Sequence, residues 1–159
     1  MISWRITKRR YSSRSQILGG EGARTGGRWN RPGLSVVYSS ENSSLALLEN
    51  LVRTTASRLP KSLVAVRISI PDDVPLTDLA AGDLPANWRD IENPGCIALG
   101  SKWLESRKAL VLRVPSAVNS LERNLLLNPM HAAIESCEVG KPVPLVFDPR
   151  AVAFFAASP

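Results

Sequence analysis

Apolar and polar residues alternate most regularly over residues 62–70, where Val64, Val66, Ile68 and Ile70 fall on one face. A period of two is typical of a half-buried β-strand, so this segment is predicted to be a strand. Shorter apolar runs predict further strands over residues 4–6, 34–39, 109–114, 144–147 and 152–155. Strands are therefore expected along the whole chain.

A helical pattern covers residues 43–59, where apolar residues recur three and four positions apart after a predicted N-cap at Ser43. Glu49 lies among these apolar positions, four residues after Leu45 and one after Leu48. A carboxylate so close to the buried side of a helix needs a partner or a chemical role. Glu49 is therefore a candidate functional residue.

The remaining segments are less regular. Residues 100–108 predict a short helix, residues 9–30 a long loop rich in Gly, Ser and Arg, and residues 72–98 an irregular connection. Residues 119–134 mix helical spacing with an Asn-Pro break. The pattern predicts a single mixed α/β domain over residues 1–159, with several strands and few helices.

The composition argues against several classes of protein. The 159 residues are 44% hydrophobic and 21% charged, which is ordinary for a globular protein and argues against disorder. There is no run of 18 apolar residues to span a membrane and no apolar stretch typical of a signal peptide, so the expected compartment is the cytosol. Cys96 and Cys137 lack a CxxC partner and are expected to be free thiols, and no metal site is predicted.

Positive charge is concentrated at the start of the chain. Residues 1–31 contain seven arginines and one lysine against one acid, Glu21, whereas the formal charge of the whole chain is +6. Arginine suits bidentate recognition of phosphate or carboxylate, so a polyanion or a phosphorylated small molecule is the functional interpretation. A solvated basic arm is the alternative. A nucleic-acid-binding module is a further one, although no zinc-finger, KH or RNP pattern occurs.

Four local sequences stand out together. They are Gly-Gly-Arg-Trp-Asn at 26–30, Tyr38 with Glu49 eleven residues later, Pro-Ser-Ala-Val at 115–118, and the segment 124–131 with its Asn-Pro pair. Their order and spacing resemble the RES domain family, named for an Arg, a Glu and a Ser. The resemblance extends over nearly the whole chain.

The resemblance maps the three family letters onto Arg28, Glu49 and Ser116. It implies an ADP-ribosyltransferase-like fold with a central, mostly antiparallel sheet. It also implies a bacterial toxin that splits the nicotinamide–ribose bond of NAD⁺, its substrate rather than a cofactor, and passes the ADP-ribosyl group to water, phosphate or a protein. The implied partner is an Xre-like helix-turn-helix antitoxin, with no direct contact to nucleic acid or membrane. No GxGxxG fingerprint of a Rossmann enzyme is present.

The residue types suit that reaction. Breaking the N-glycosidic bond develops positive charge on the ribose, which a carboxylate such as Glu49 would stabilise. Arg28, with help from Arg5, would offer donors to the pyrophosphate. Ser116 would hydrogen-bond the nicotinamide amide or the ribose, and Tyr38 would stack on the nicotinamide ring.

Each role has a simpler alternative. Glu49 would pair with Arg53 on the helix surface, Arg28 would be a solvated loop charge, Ser116 would cap a turn, and Tyr38 would pack within its strand.

Trp29 and Asn124 complete the predicted substrate-binding set, although holding a loop in place is the alternative role for Asn124. His131, the single histidine, is expected to be structural. Glu49 separates the two main hypotheses, because a nucleic-acid-binding module has no use for a carboxylate on the apolar side of a helix.

Overall fold

The computed structural model describes residues 1–21, 24–53, 62–148 and 150. The alternating segment predicted as a strand is β3, Leu63–Ser69. It lies antiparallel to β1, Ile2–Lys8, in a continuous register that runs from Ile2 opposite Ser69 to Lys8 opposite Leu63. Val64, Val66 and Ile68 are buried as their period of two predicts.

Six further strands complete one sheet in the described residues. They are β2, Val37–Ser40; β4, Leu76–Asp78; β5, Val111–Pro115; β6, Arg123–Leu127; β7, Glu138–Val139; and β8, Val143–Pro144. The strand order is β4-β5-β6-β2-β1-β3-β7, and β8 also pairs with β3. The β4–β5 pair is parallel and every other pair is antiparallel. The predicted mixed fold with a mostly antiparallel sheet is confirmed.

The two faces of this sheet carry different cores. Alternate residues of β6 show the division, because Leu125 and Leu127 pack in one cluster and Leu126 in another. The first cluster includes Ile17 of α1, Arg14–Gly19. The opposite face holds a tryptophan-rich cluster against α3, Pro94–Ser106, and a smaller cluster against α2, Ser43–Leu51.

Two predicted helices differ from the observed ones. The helix predicted from residue 43 ends at Leu51, and its N-cap is Asn42 rather than Ser43, because the Asn42 side chain accepts a hydrogen bond from Leu45 N. Residues 54–59 of that prediction lie outside the described residues. Helix α3 begins at Pro94, six residues before the predicted start. Proline at the first helical position after an asparagine cap is a start signal, not a break.

Two segments contain elements that periodicity did not predict. The segment 9–30 contains a 3₁₀ turn, Arg9–Tyr11, and α1 within the predicted loop. The segment 119–134 contains β6 and, at its end, the start of a 3₁₀ helix, Ala132–Ser136. Strand β6 was missed because a short apolar run buried on both faces of a sheet carries no strand period. Irregular residues 72–98 contain β4 and the start of α3.

The closing strands are shorter than expected. Strand β8, Val143–Pro144, includes only Pro144 of the predicted region 144–147, and the predicted strand 152–155 lies outside the described residues. None of the helices in the described part of the chain is long and apolar enough to cross a membrane.

Candidate active site

A cavity of about 300 Å³ opens on the sheet face that carries α2. Trp4, Tyr38 and Leu126 line it from β1, β2 and β6, and so do residues 25–29 of the segment that we call the glycine loop, 25–30. This volume lies at the lower end of the range of about 300–1,000 Å³ that is usual for small-molecule sites. The cavity is thus a candidate ligand site.

Four charged side chains line the cavity among the described residues. Arg5, Arg28 and Arg53 are cations, and Glu49 is the single anion. Arg5, Arg28 and Glu49 were predicted as site residues, whereas Arg53 was considered only as a surface partner of Glu49. The excess of positive charge suits an anionic ligand.

Helix α2 brings Glu49 to the cavity because Leu45 and Ala46, one turn earlier, pack into the protein. Glu49 Oε1 accepts hydrogen bonds from Ser116 Oγ at 2.8 Å and from Asn124 Nδ2 at 2.6 Å. No group of the described residues bonds Oε2. The carboxylate is therefore held by one oxygen while the other remains available to a ligand.

Ser116 follows β5 and is completely buried. Its hydroxyl donates to Glu49 and accepts from the main-chain N–H groups of Val118 and Asn119, both at 3.1 Å. Ser116 thus also caps a turn, which was the simpler of its two predicted roles. Since its neighbours Pro115 and Ala117 line the cavity while Ser116 itself does not, we class it as a positioning residue for Glu49.

Asn124 of β6 lies directly opposite Ser40 of β2. Ser40 Oγ donates to Asn124 Oδ1 at 2.6 Å, which fixes the amide so that Nδ2 faces Glu49. Asn124 and Ser40 also line the cavity. Asn124 holds the carboxylate rather than a loop.

Tyr38 connects the sheet to the glycine loop. Its hydroxyl accepts from Trp29 N at 3.1 Å and donates to Asn30 Oδ1 at 2.8 Å. Gly27 must be glycine at this approach, because a Cβ atom there would stand 2.8 Å from the Tyr38 hydroxyl. Burial raises the pKa of Tyr38, so the hydroxyl keeps its proton at neutral pH. Tyr38 therefore sets the position of the loop that carries Arg28.

Arg28 is attached to the protein through one end of its guanidinium. Its Nη1 donates to the main-chain carbonyls of Trp88 and Asp90, at 2.6 and 2.7 Å. The two N–H groups of Nη1 are thereby occupied, and Nε and Nη2 remain as a fork for a ligand. Arg28 is an oriented donor rather than a freely solvated charge.

Arg5 occupies a gap in the sheet. Strands β1 and β2 pair only where Trp4 faces Ser40, and beyond that point the Tyr38 carbonyl accepts from Arg5 Nη1 at 2.7 Å. Burial lowers the pKa of Arg5, and the nearby charge of Arg53 lowers it further.

The sequence of this chain matches a known protein family. The family model for the RES domain matches residues 2–148. This chain belongs to the RES domain family. The predicted family and the predicted toxin class are thereby confirmed.

Two named RES relatives are similar over nearly their full length. Toxin Res of Yersinia enterocolitica is 39% identical over 153 residues, which cover 94% of this chain and 99% of that protein. The Prs ADP-ribosylating toxin of Sphingobium is 36% identical over 154 residues, covering 94% and 95%. Among solved structures, the complex of the M. tuberculosis toxin MbcT with the antitoxin MbcA contains a chain with the same fold. Its TM-score is 0.70 at 20% identity, covering 99% of this chain and 89% of that one.

The three residues that were matched to the Arg, Glu and Ser of the family name do not contribute equally to the cavity. Arg28 and Glu49 line it, whereas Ser116 acts on it through Glu49. Trp29 lines it too, although its side chain is mostly buried in the tryptophan-rich cluster. His131 accepts a hydrogen bond from Ala133 N at the start of a 3₁₀ helix, which is a structural role.

Several cavity residues of this RES domain were not predicted as site residues, among them Ser40 and Arg53. The Glu49–Arg53 ion pair, which was the alternative role for Glu49, does not form among the described residues, and the Arg53 guanidinium lies 5.8 Å from the centre of the Tyr38 ring. The sequence signal that could have identified Ser40 is its position as a polar residue directly after the predicted strand 34–39. In the part of the chain that the structure describes, no three His, Cys, Asp or Glu side chains are grouped to hold a metal.

Proposed function

We propose that this RES toxin cleaves NAD⁺ at the nicotinamide–ribose bond and transfers the ADP-ribosyl group to an acceptor. The observation that carries the proposal is the carboxylate of Glu49, held by Ser116 and Asn124 inside a cavity whose other charged side chains are arginines. One oriented carboxylate beside several phosphate-binding groups matches a substrate that has one glycosidic bond to break and a pyrophosphate to hold.

Glu49 acts on the ribose in this proposal. As the bond between C1′ and the nicotinamide nitrogen breaks, its electron pair returns to the nicotinamide ring, which leaves as a neutral molecule. The ribose becomes positively charged, and the available Oε2 of Glu49 stabilises that charge or accepts a hydrogen bond from a ribose hydroxyl. Ser116 and Asn124 keep Oε1 in place, so that little reorganisation is needed at the moment of reaction.

Arg28 binds the pyrophosphate in this proposal, through the fork left open by Nε and Nη2. Tyr38 is expected to offer its ring to the nicotinamide, since its hydroxyl is already engaged by the glycine loop. Arg5, on strand β1, contributes positive charge to the cavity. No cofactor is required, because NAD⁺ is the substrate.

The acceptor completes the reaction by forming a bond to C1′. When the acceptor is water, it transfers one oxygen to C1′ and releases a proton, and when it is phosphate, a phosphate oxygen forms the bond. A protein side chain is the second candidate acceptor, and the 36% identical Sphingobium relative, which is named an ADP-ribosylating toxin, favours it. All of these acceptors use the same bond cleavage at Glu49.

Nicotinamide release from NAD⁺ by the purified chain, with and without phosphate, tests the proposal. Glu49→Gln keeps an oxygen that can accept from Ser116 and Asn124 but removes the charge, and we expect release to fall by about 100-fold or more. Glu138→Gln, an exposed position on β7, is the matched control and should retain full activity. Equal release by both variants would contradict the role of Glu49. No release by the folded wild-type chain, alone or with a protein acceptor, would contradict the reaction itself.

The arrangement of the basic residues favours this enzyme over a nucleic-acid-binding module. Within residues 1–31, Arg5 and Arg28 line the cavity, while Arg14 and Arg31 form ion pairs with acidic side chains. These four arginines are thus divided between the cavity and separate surface contacts, instead of forming one cationic face along a nucleic-acid backbone.

An antitoxin is the proposed protein partner, of the Xre-like helix-turn-helix class and acting in the cytosol. The similarity in fold to MbcT, solved together with its antitoxin MbcA, supports such a partner. An acidic segment of the antitoxin would cover the arginine-lined cavity, and the exposed cations of residues 1–31 would favour its docking. Replacing Arg9 and Arg10 together with Glu should then weaken complex formation, and unchanged binding would remove the electrostatic part of this proposal.

A further inference from the structure

Arg53 follows α2 and lines the same cavity as Arg28, with its guanidinium carbon 5.8 Å from the centre of the Tyr38 ring. Among the described residues it forms neither an ion pair nor a hydrogen bond through its side chain. The segment that follows it, residues 54–61, contains Arg58 and Lys61 but no acidic residue. The sequence that follows Arg53 therefore offers no carboxylate to neutralise it.

The charge of Arg53 is not balanced inside the cavity either. Arg5, Arg28 and Arg53 share it with Glu49, whose Oε1 is engaged by Ser116 and Asn124. The proximity of Arg53 contributes to lowering the pKa of Arg5, which is the effect expected of like charges held close together. A cavity that keeps guanidinium groups together without acidic partners is arranged to receive an anion.

We propose that Arg53 is a second phosphate-binding residue of the cavity, and that Arg28 and Arg53 together make the site prefer a diphosphate to a single phosphate. This inference rests on the proposed function, because the diphosphate is that of NAD⁺. It adds a residue that the RES letters do not include and gives it a specificity role.

The hydrogen-bond donors that remain available on Arg28 and Arg53 assign one phosphate group to each arginine. Nη1 of Arg28 is used by the carbonyls of Trp88 and Asp90, so that Arg28 retains one fork, enough for one phosphate group. Arg53 keeps its donors for the second group, and the Tyr38 ring supports its guanidinium. Arg5 donates a hydrogen bond from Nη1 to the Tyr38 carbonyl and adds its positive charge to the cavity.

The chain contains a matched control for Arg53. The Arg10 guanidinium lies 4.7 Å from the centre of the Tyr11 ring, another exposed arginine over a tyrosine, but outside the cavity. Arg10→Ala removes the same charge and the same type of ring contact as Arg53→Ala. Any difference between the two variants therefore reports on the cavity and not on net charge or stacking.

Calorimetric titration with inorganic pyrophosphate and with orthophosphate tests the inference. The wild-type chain and Arg10→Ala should bind pyrophosphate about tenfold more tightly than orthophosphate, and Arg53→Ala should lose most of that preference. Arg53→Lys, which keeps a point charge without the fork, should fall between them. If Arg53→Ala binds pyrophosphate as tightly as Arg10→Ala does, the inference is wrong.

NAD⁺ kinetics separate this inference from the proposed function. Arg53→Ala should raise KM for NAD⁺ by about tenfold with little change in kcat, because the contact is made equally in the ground and transition states. If NAD⁺ is cleaved and KM is unchanged in Arg53→Ala, the role of Arg53 fails while the proposed function stands. If pyrophosphate binding depends on Arg53 but no nicotinamide is released, the diphosphate site stands and the proposed reaction fails.

Discussion

Ser116 donates a 2.8 Å hydrogen bond to Oε1 of Glu49, although 67 positions separate the two residues in the chain. Ser116 directly follows β5 and Glu49 lies on α2, so that the bond joins the sheet to the helix that covers it. The same hydroxyl accepts from two main-chain N–H groups, which fixes its position. Two of the three residues predicted to be catalytic are therefore one structural unit.

Ser116→Ala is expected to lower both stability and kcat. It leaves the N–H groups of Val118 and Asn119 without their acceptor, at a cost of about 1–3 kcal/mol in the free energy of unfolding. It also releases one of the two bonds on Glu49, so we expect kcat to fall by about tenfold or more with little change in KM. Denaturant unfolding and nicotinamide release measure the two effects.

A double-mutant cycle with Glu49→Gln distinguishes positioning from general destabilisation. If Ser116 acts through Glu49, the losses in kcat should be far from additive. Ser136→Ala is the control, because that hydroxyl bonds an exposed main-chain carbonyl in a 3₁₀ helix. Additive losses in the cycle would argue that Ser116 is only a turn cap.

Arg28→Lys is expected to raise KM for NAD⁺ by about tenfold. A lysine ammonium cannot bridge the carbonyls of Trp88 and Asp90 and also offer a planar fork to a phosphate. Arg24→Lys, an exposed change at the start of the same region, should leave KM unchanged. A normal KM in Arg28→Lys would mean that a point charge is sufficient at this position.

Gly100→Ala is expected to destabilise the protein by about 1–3 kcal/mol. A Cβ atom at Gly100 would stand 2.0 Å from the carbonyl oxygen of Trp29, so α3 and the glycine loop would have to separate. Because Tyr38 bonds the main chain of Trp29, activity should fall as well. The matched change Gly82→Ala meets nothing within 4 Å and should alter stability by less than about 0.5 kcal/mol. Equal stability of the two variants in thermal unfolding would show that α3 shifts without cost.

Asp78 is expected to make a pH-dependent contribution to stability. Hydrogen bonding from Arg113, with further help from Arg123, lowers the pKa of Asp78 in the folded protein. The contribution is therefore present above the unfolded pKa, about 3.9, and is lost as pH falls through the lower folded value. The side chain is 35% exposed, and solvent screening limits the contribution to under about 1 kcal/mol.

Unfolding of Asp78→Asn between pH 7 and pH 2 measures this contribution. The variant should be less stable than wild type at pH 7, and the difference should shrink toward the acid end. Asp73→Asn, an exposed change on the connection between β3 and β4, is the control for the removal of a surface carboxylate. A difference that stays constant with pH would assign the effect to packing instead of charge.

Elements with strong local signals were predictable. Strand β3 was found by its period of two, and the first two turns of α2 by their apolar spacing. Strand β6 was not, because Leu125 and Leu127 face one core and Leu126 the other, so that the run has no polar side to mark its period. Helix α1, six residues long, was too short for a helical period to be visible.

The sequence by itself identified the residues that we propose carry the chemistry. Glu49 is a charged residue within an apolar helical pattern, and Arg28 directly follows two glycines. Both features are local, so they can be recognised in the sequence before the fold is known. Only the tertiary structure decided how they are held. Ser116, Asn124 and the carbonyls of Trp88 and Asp90 reach Glu49 and Arg28 from 60 to 75 positions away. Such contacts depend on strand order and helix placement, and main-chain carbonyls in particular carry no side-chain signal that a sequence could show.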